Sequence, residues 1–265
     1  MKLFDQSKNK KQKGDVLPSF ILLKDMALDI DLFIKNFYDD WGIELPVSAK
    51  EEEHKDELPM LVTEINNMTI AVSLMPAPVP NDEAVDNAKT NLFWPEAVEV
   101  AENHQAHILV VVIPLGEQSL LEVATLHTKL CVTCLKQPNA VAVNAVGTVF
   151  EPQWYIESAL IAFENNIFPI MNLVYFGVYS NDNGETVSGY TFGLEILGKK
   201  EIEILDSAHS FKEIFDFLTN IVSYIIGDDV TLQHGETIGF YADQKLSITE
   251  SAGVAVDGET LKIGF

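Results

Sequence analysis

Apolar and polar residues alternate through Ile202, Glu203 and Ile204, the period-two mark of a strand with one buried face. Upstream, residues 170–179 (Ile-Met-Asn-Leu-Val-Tyr-Phe-Gly-Val-Tyr) are almost wholly apolar and predict a central strand covered on both faces. Between them, residues 180–185 (Ser-Asn-Asp-Asn-Gly-Glu) tolerate positive φ and local side-chain bonding, so they predict a hairpin loop. Gly193 and Gly198 interrupt the returning strand. They predict a bulge or bend there, or a ligand passing over Gly193; nothing catalytic flanks the glycine, which favours the bend.

The same patterns continue along the chain. Residues 20–23 predict a strand, and 29–38 an amphipathic helix starting near Asp29 or Asp31 and stopping at Trp41-Gly42. A charged connection (49–57) leads to a hairpin, 60–65 and 68–74, around Asn66-Asn67. Pro76, Pro78 and Pro80 force an extended exit. Asn81 or Asp82 caps a helix toward Asn91, and Pro95 restarts one that runs to about Asn103. Residues 107–113 (His-Ile-Leu-Val-Val-Val-Ile) predict a strand buried on both faces. Helices follow at 117–136, at 152–164 and, with a clean one-sided stripe ended by Gly227, at 210–226. Short strands are predicted at 146–150 and 237–241, before a hairpin-like tail at 245–265.

This order predicts an α+β fold with two ferredoxin-like (β-α-β-β-α-β) halves, mostly antiparallel sheets and a helix joining them. The expected boundaries are a disordered basic head (1–16), a first half (17–116), a connecting helix (117–138) and a second half (139–265) with the C-terminal hairpin. Exposed sheet edges in both halves allow a homo-oligomer.

Charge narrows the function. Among 265 residues, 40 are acidic and 17 basic, a formal net charge of -23, and every basic residue is lysine. Arginine is the preferred fork for phosphate and guanine edges, so its absence at this net charge argues against nucleic acid and against an anionic membrane surface. A protein partner, and a basic one, fits the charge. The head carries Lys2, Lys8, Lys10, Lys11 and Lys13 but lacks a secretory apolar segment, because the run 17–23 contains Pro18 and Ser19. Two cysteines make no disulfide framework, and no stretch reaches the roughly twenty apolar residues of a membrane span, so a cytoplasmic location is expected.

Three constellations could carry chemistry. His127, Cys131 and Cys134 stand at i, i+4 and i+7, within about 60° of one another on a helix, and are zinc-ligand types. Their competing reading is core packing, since structural zinc sites and redox Cys-x-x-Cys pairs sit at turns or helix starts rather than in mid-helix. Asn91, Trp94 and Glu96, with Glu99, could line a sugar or peptide site, although acids in a first helical turn also favour the positive end of the helix dipole. His234 beside Glu236 could form an acid–base pair or merely a surface turn. No Gly-x-Ser-x-Gly elbow, P-loop, Gly-x-Gly-x-x-Gly or His-Glu-x-x-His is present. No cofactor is implied.

Asn91-x-x-Trp94-Pro95, Ala106-His107-Ile108, the run from Gly193 through Lys199-Lys200 to Glu203, Gly235-Glu-Thr-Ile-Gly239 and the terminal Leu261-Lys-Ile-Gly-Phe265 together resemble a bacterial domain family of unknown function, number forty-two sixty-one in that series. The resemblance runs from about Phe20 to the end. It implies a bacterial cytosolic protein and no established activity, cofactor or catalytic residue. Charge and missing catalytic motifs predict a non-enzymatic protein-binding module, of adaptor or immunity type, with an acidic surface. The alternative is a hydrolase-type enzyme whose carboxylate and histidine groups (Trp94, Glu96, His107 or His234 taking part) meet in a cleft between the halves.

Overall fold

The computed structural model describes residues 18–46, 58–180, 184–241 and 243–265. The expected head (1–16) and charged connection (49–57) lie outside them, as does part of the loop 180–185. The chain divides into two compact units, one spanning Val16–Asn172 and one built on Leu173–Phe265.

The first unit rests on a six-stranded, wholly antiparallel sheet. Its strands are β1 (Ser19–Leu23), β2 (Met60–Ile65), β3 (Met68–Met75), β4 (Ala106–Pro114), β5 (Ala140–Ala145) and β6 (Thr148–Phe150), in the order β2-β3-β4-β1-β5-β6. Asn66 and Asn67, both at positive φ (51° and 57°), make the tight β2–β3 turn, the conformation asparagine tolerates best after glycine. Its helices are α1 (Ile30–Trp41), α2 (Glu83–Ala88), α3 (Ala97–Asn103), α4 (Leu120–Cys134) and α5 (Pro152–Glu164). Asp29 caps α1 by accepting from the Leu32 N–H, and Gly42, at φ 63°, stops it. Ser119 and Glu122 close a capping box at the start of α4.

Three expectations change here. The order of elements through β4 is β-α-β-β-α-β as predicted, yet the pairing is not that of a split βαβ unit, in which the two strands of a βαβ pair run parallel with one strand between them. In this sheet β4 and β3 both lie between β1 and β2, so β1 and β2 run antiparallel. The helix expected to join two halves is instead part of this unit: α4 packs on β4 and β1. Behind it, β5 pairs with β1, although 140–145 carries too little beyond alanine and valine to stand out as a strand.

The third change concerns β4. One face of the sheet is fully buried, through Ile108, Val110 and Val112 on β4 with Ile70 and Val72 on β3. The opposite face is covered only over β1, β5 and β6. There Leu22, Ala142 and Val149 meet Ala84 and Ala88 of α2 and Ala97 and Ala101 of α3. Over β2, β3 and the second half of β4 none of the described helices covers it. Leu109 and Val111 are half-buried, and Ile113 is 41% exposed. The expected burial of 107–113 on both faces therefore fails over its second half, because no helix of the described residues packs there.

In the second unit, the apolar run 170–179 splits into a short helix α6 (Ile170–Leu173), which bridges the division, and the strand β7 (Tyr175–Ser180). β8 (Val187–Phe192), β9 (Ile202–Ser207), β10 (Thr237–Ile238), β11 (Leu246–Ala252) and β12 (Glu259–Ile263) complete a six-stranded sheet in the order β10-β11-β12-β9-β8-β7. All its pairs are antiparallel except β9 with β12. The helix α7 (Phe211–Gly227) lays Ile214, Leu218, Ile221 and Val222 against it. A Cβ on Gly189 of β8 would meet Ile214 at 2.5 Å and Leu218 at 2.9 Å, so the missing side chain is what lets α7 approach. No helix of the described residues is long and apolar enough to cross a membrane.

Candidate functional site

A buried polar network lies where the alternating stretch meets its neighbours. Gly193 and Gly198, at φ 115° and 75°, bracket a 3-10 turn (Leu194–Leu197) that separates β8 from β9, so the predicted bent strand is two strands and a turn. Glu201, just before β9, is 2% exposed and holds that turn. Its carboxylate accepts from the Thr191 hydroxyl (2.7 Å), the Gly193 N–H (2.7 Å) and the Glu195 N–H (3.3 Å). Thr191 in turn accepts from the Ile202 N–H at 2.8 Å, which orients its hydroxyl proton toward Glu201. Burial raises the Glu201 carboxyl to about 7, against the three hydrogen bonds that favour its charged form.

Glu203, two residues on, is fully buried. It pairs with Lys262 of β12 at 2.8 Å and accepts from the Thr260 hydroxyl (2.8 Å) and from the N–H groups of Val254 (3.0 Å) and Ala255 (2.7 Å). Burial pushes its carboxyl up, but Lys262 and these donors outweigh it and hold the group below the ordinary glutamate value. The β11–β12 connection is thereby stitched onto β9. Neither glutamate stands out as a functional candidate in the sequence. Alternation marks Glu203 as facing away from Ile202 and Ile204, and only the pairing with β12 reveals that this face, too, is buried.

Beside the turn opens a pocket of about 270 Å³, lined among others by Lys199, Lys200, Ile225, Leu232 and Leu261. A second hollow of about 510 Å³ shares Val230, Thr231 and Leu232 with it and reaches Tyr224, Glu236 and Ile238. Lys199 is held by Asp229 at 2.6 Å, and Lys200 pairs with Glu250. His234 and Glu236 sit near the rim in a turn. The His234 Nδ1 accepts from the Glu250 N–H at 3.0 Å, and Glu236 accepts from the Gln233 N–H at 2.8 Å. Each accepts from a backbone N–H, His234 across to β11 and Glu236 within its own turn, rather than from the other.

The remaining candidates lie in the first unit. Asn91 is a turn-former: its side chain accepts from the Phe93 and Trp94 N–H groups and donates to the Val149 carbonyl at 2.8 Å. Trp94 packs half-buried on the cluster around Leu22 and Val149. Glu96 is exposed at the start of α3. His107 bonds the Ala77 carbonyl through Nδ1 at 2.8 Å, and burial lowers its pKa. His127 and Cys131 do share a helix face with Cys134, their ring nitrogens and sulfur 3.8–3.9 Å apart, and all three side chains are buried. Burial brings the His127 imidazole down to about 4 and pushes the Cys131 thiol up to about 12, so these groups are neutral core residues at pH 7. Among the described residues no group of three or more histidine, cysteine or carboxylate side chains is placed to hold a metal ion.

Residues 190–264 match the family model of a domain of unknown function (DUF4261), the family suggested by the motifs at 193–203, 235–239 and 261–265. The motifs at 91–95 and 106–108 lie outside the matched segment. No curated protein and no solved structure matches the chain.

Proposed function

We propose that this protein works by binding rather than catalysis, as an adaptor or immunity-type module in the bacterial cytoplasm that meets a basic protein partner with an acidic surface. The observation that carries the reading is the disposition of charge in the second unit. Lys199, Lys200, Lys212 and Lys262 are tied to Asp229, Glu250, Asp216 and Glu203. Their charge is cancelled locally, so that against the exposed Lys245 the exposed carboxylates, Glu195, Asp228, Glu236 and Glu259 among them, set the sign of the surrounding field. A field of that sign steers a basic partner and repels nucleic acid and anionic lipid.

The hydrolase-type alternative has less support. Glu96 stands exposed at a helix start, His107 is buried against the Ala77 carbonyl, and the His234 Nδ1 is occupied by the Glu250 N–H. Glu201 has a pKa suited to acid–base work near neutrality, yet its two oxygens serve Thr191, Gly193 and Glu195.

The test is affinity capture on the tagged protein from the lysate of its native host, eluted with rising salt and read by mass spectrometry. One basic protein retained in stoichiometric amount and released on the order of 0.3 M salt, where surface charges are largely screened, is the expected result. An empty column at low salt overturns the reading.

A further inference from the structure

The open half of the first unit's sheet belongs to no function assigned above. Its face presents Met60 and Val62 of β2 (62% and 54% exposed), Ala71 and Ser73 of β3, and Val111 and Ile113 of β4, aligned across the strands by the pairs Val62–Ala71 and Ala71–Val111. Glu64 is the ionisable residue of β2 and β3, and it points to this same face, exposed. The far half of the same face is already closed by two helices, α2 and α3. We propose that the open half is a docking site for a basic amphipathic helix of a partner protein, which would complete the helical layer that α2 and α3 begin. The proposal rests on the binding reading above and gives it a place and a partner chemistry.

Size and charge choose this occupant over a second copy of the chain. Three strands about 4.8 Å apart and some 20 Å long offer roughly 300 Å², well under the ~800 Å² per partner of a stable globular interface. One helix about 10 Å across and about fourteen residues long, some 21 Å, covers about two thirds of that area. The small side chains of Ala71 and Ser73 on the central strand allow it to approach closely. Two copies would each carry a formal charge of -23 and bring Glu64 toward its own counterpart, whereas lysine or arginine flanking a leucine stripe would complement it.

The experiment titrates the full-length protein with a fluorescent peptide of leucine and lysine, about fourteen residues long, its leucines at i, i+3, i+4 and i+7. A scrambled peptide of the same composition serves as control. Both are measured against the wild type and against the double variant Val62→Asp, Ile113→Asp, whose sites are exposed enough to leave the fold intact. Docking on the face predicts at least tenfold weaker binding of the amphipathic peptide by the variant, although the variant carries more negative charge, and little discrimination between the proteins by the scrambled one. Binding that is unchanged or tighter in the variant means charge attraction alone and overturns the proposal, as does a wild type that ignores the peptide. A wild-type dimer in sedimentation that the variant dissolves assigns the face to a second copy instead. Lysate capture separates this failure from that of the wider reading. A partner retained equally by wild type and variant removes only this site, and a partner retained by neither removes the binding function.

Discussion

In the first unit, the middle of the sheet is apolar on its buried face, and over half of the other face no helix of the described residues packs. In the second, the middle of the sheet holds two carboxylates, and each fixes a loop. Glu201 and Glu203 lie within three residues of each other, yet burial raises one toward neutrality while a lysine and several donors hold the other below its ordinary value. The contrast teaches that buried glutamate is not one kind of interaction. A carboxylate whose partners are a hydroxyl and N–H groups has no opposite charge to offset its desolvation; one facing Lys262 does.

The strongest way to break this comparison is to remove Glu203. Glu203→Ala leaves the Lys262 ammonium, whose side chain is 13% exposed, with the Ser251 and Ala252 carbonyls but no counter-charge, and strands the Thr260 and Ala255 donors. A loss of about 3–5 kcal/mol in urea-induced unfolding is expected. A loss under about 1 kcal/mol would show the β11–β12 connection to be held by something else.

Next comes pH. The folded-state pKa of Glu201 is raised, so its contribution to stability is fully present below about 4.5 and is lost as pH rises through about 7. Over that window stability falls by up to roughly 3 kcal/mol from this group. Glu203 acts with the opposite sign: its depressed pKa gives stability above the ordinary glutamate value that is lost on acidification. Unfolding curves of Glu201→Gln across pH 4.5 to 8 should lack the downward slope expected of the wild type. A slope that survives the substitution assigns it to another group.

Gly189→Ala tests the packing of α7 over the same sheet. The new methyl group meets Ile214 and Leu218 well inside contact distance, and a cost of about 1–3 kcal/mol is expected by thermal or chemical unfolding. At the small end, Val62→Asp with Ile113→Asp on the open face should change stability by no more than about 0.5 kcal/mol per site. A large loss there would mean that the face is already covered, and would erase the contrast between the two sheets.

Much of the local structure was legible in the residues. Asp29 and Gly42 bound α1, Asn66-Asn67 turns β2 into β3, Pro152 opens α5, and the apolar stripe of 210–226 gives α7. Each of these signals acts over a few residues, through side-chain capping, a φ preference or helical period. What was missed depended on neighbours distant in the chain. The run 170–179 is equally apolar in a helix and in a buried strand, so its break between Leu173 and Tyr175 could not be read from hydropathy. β5 looks unremarkable by composition and becomes a strand because β1 offers it a partner.

The candidate site was less legible for the same reason. Helical spacing placed His127, Cys131 and Cys134 on one face, but spacing cannot tell how deeply that face is buried, and only the packing of α4 puts all three side chains inside. Net charge, the absence of arginine, the helix caps and the alternation at 202–204 belong to the sequence by itself, since each depends on residue type and near neighbours alone. That β4 separates β3 from β1, that Glu203 meets Lys262 across a parallel pair, and that half a sheet face stays open were decided by the tertiary structure. Strand pairing brings together residues tens of positions apart, and the free energy of such contacts is written in no single stretch of the chain.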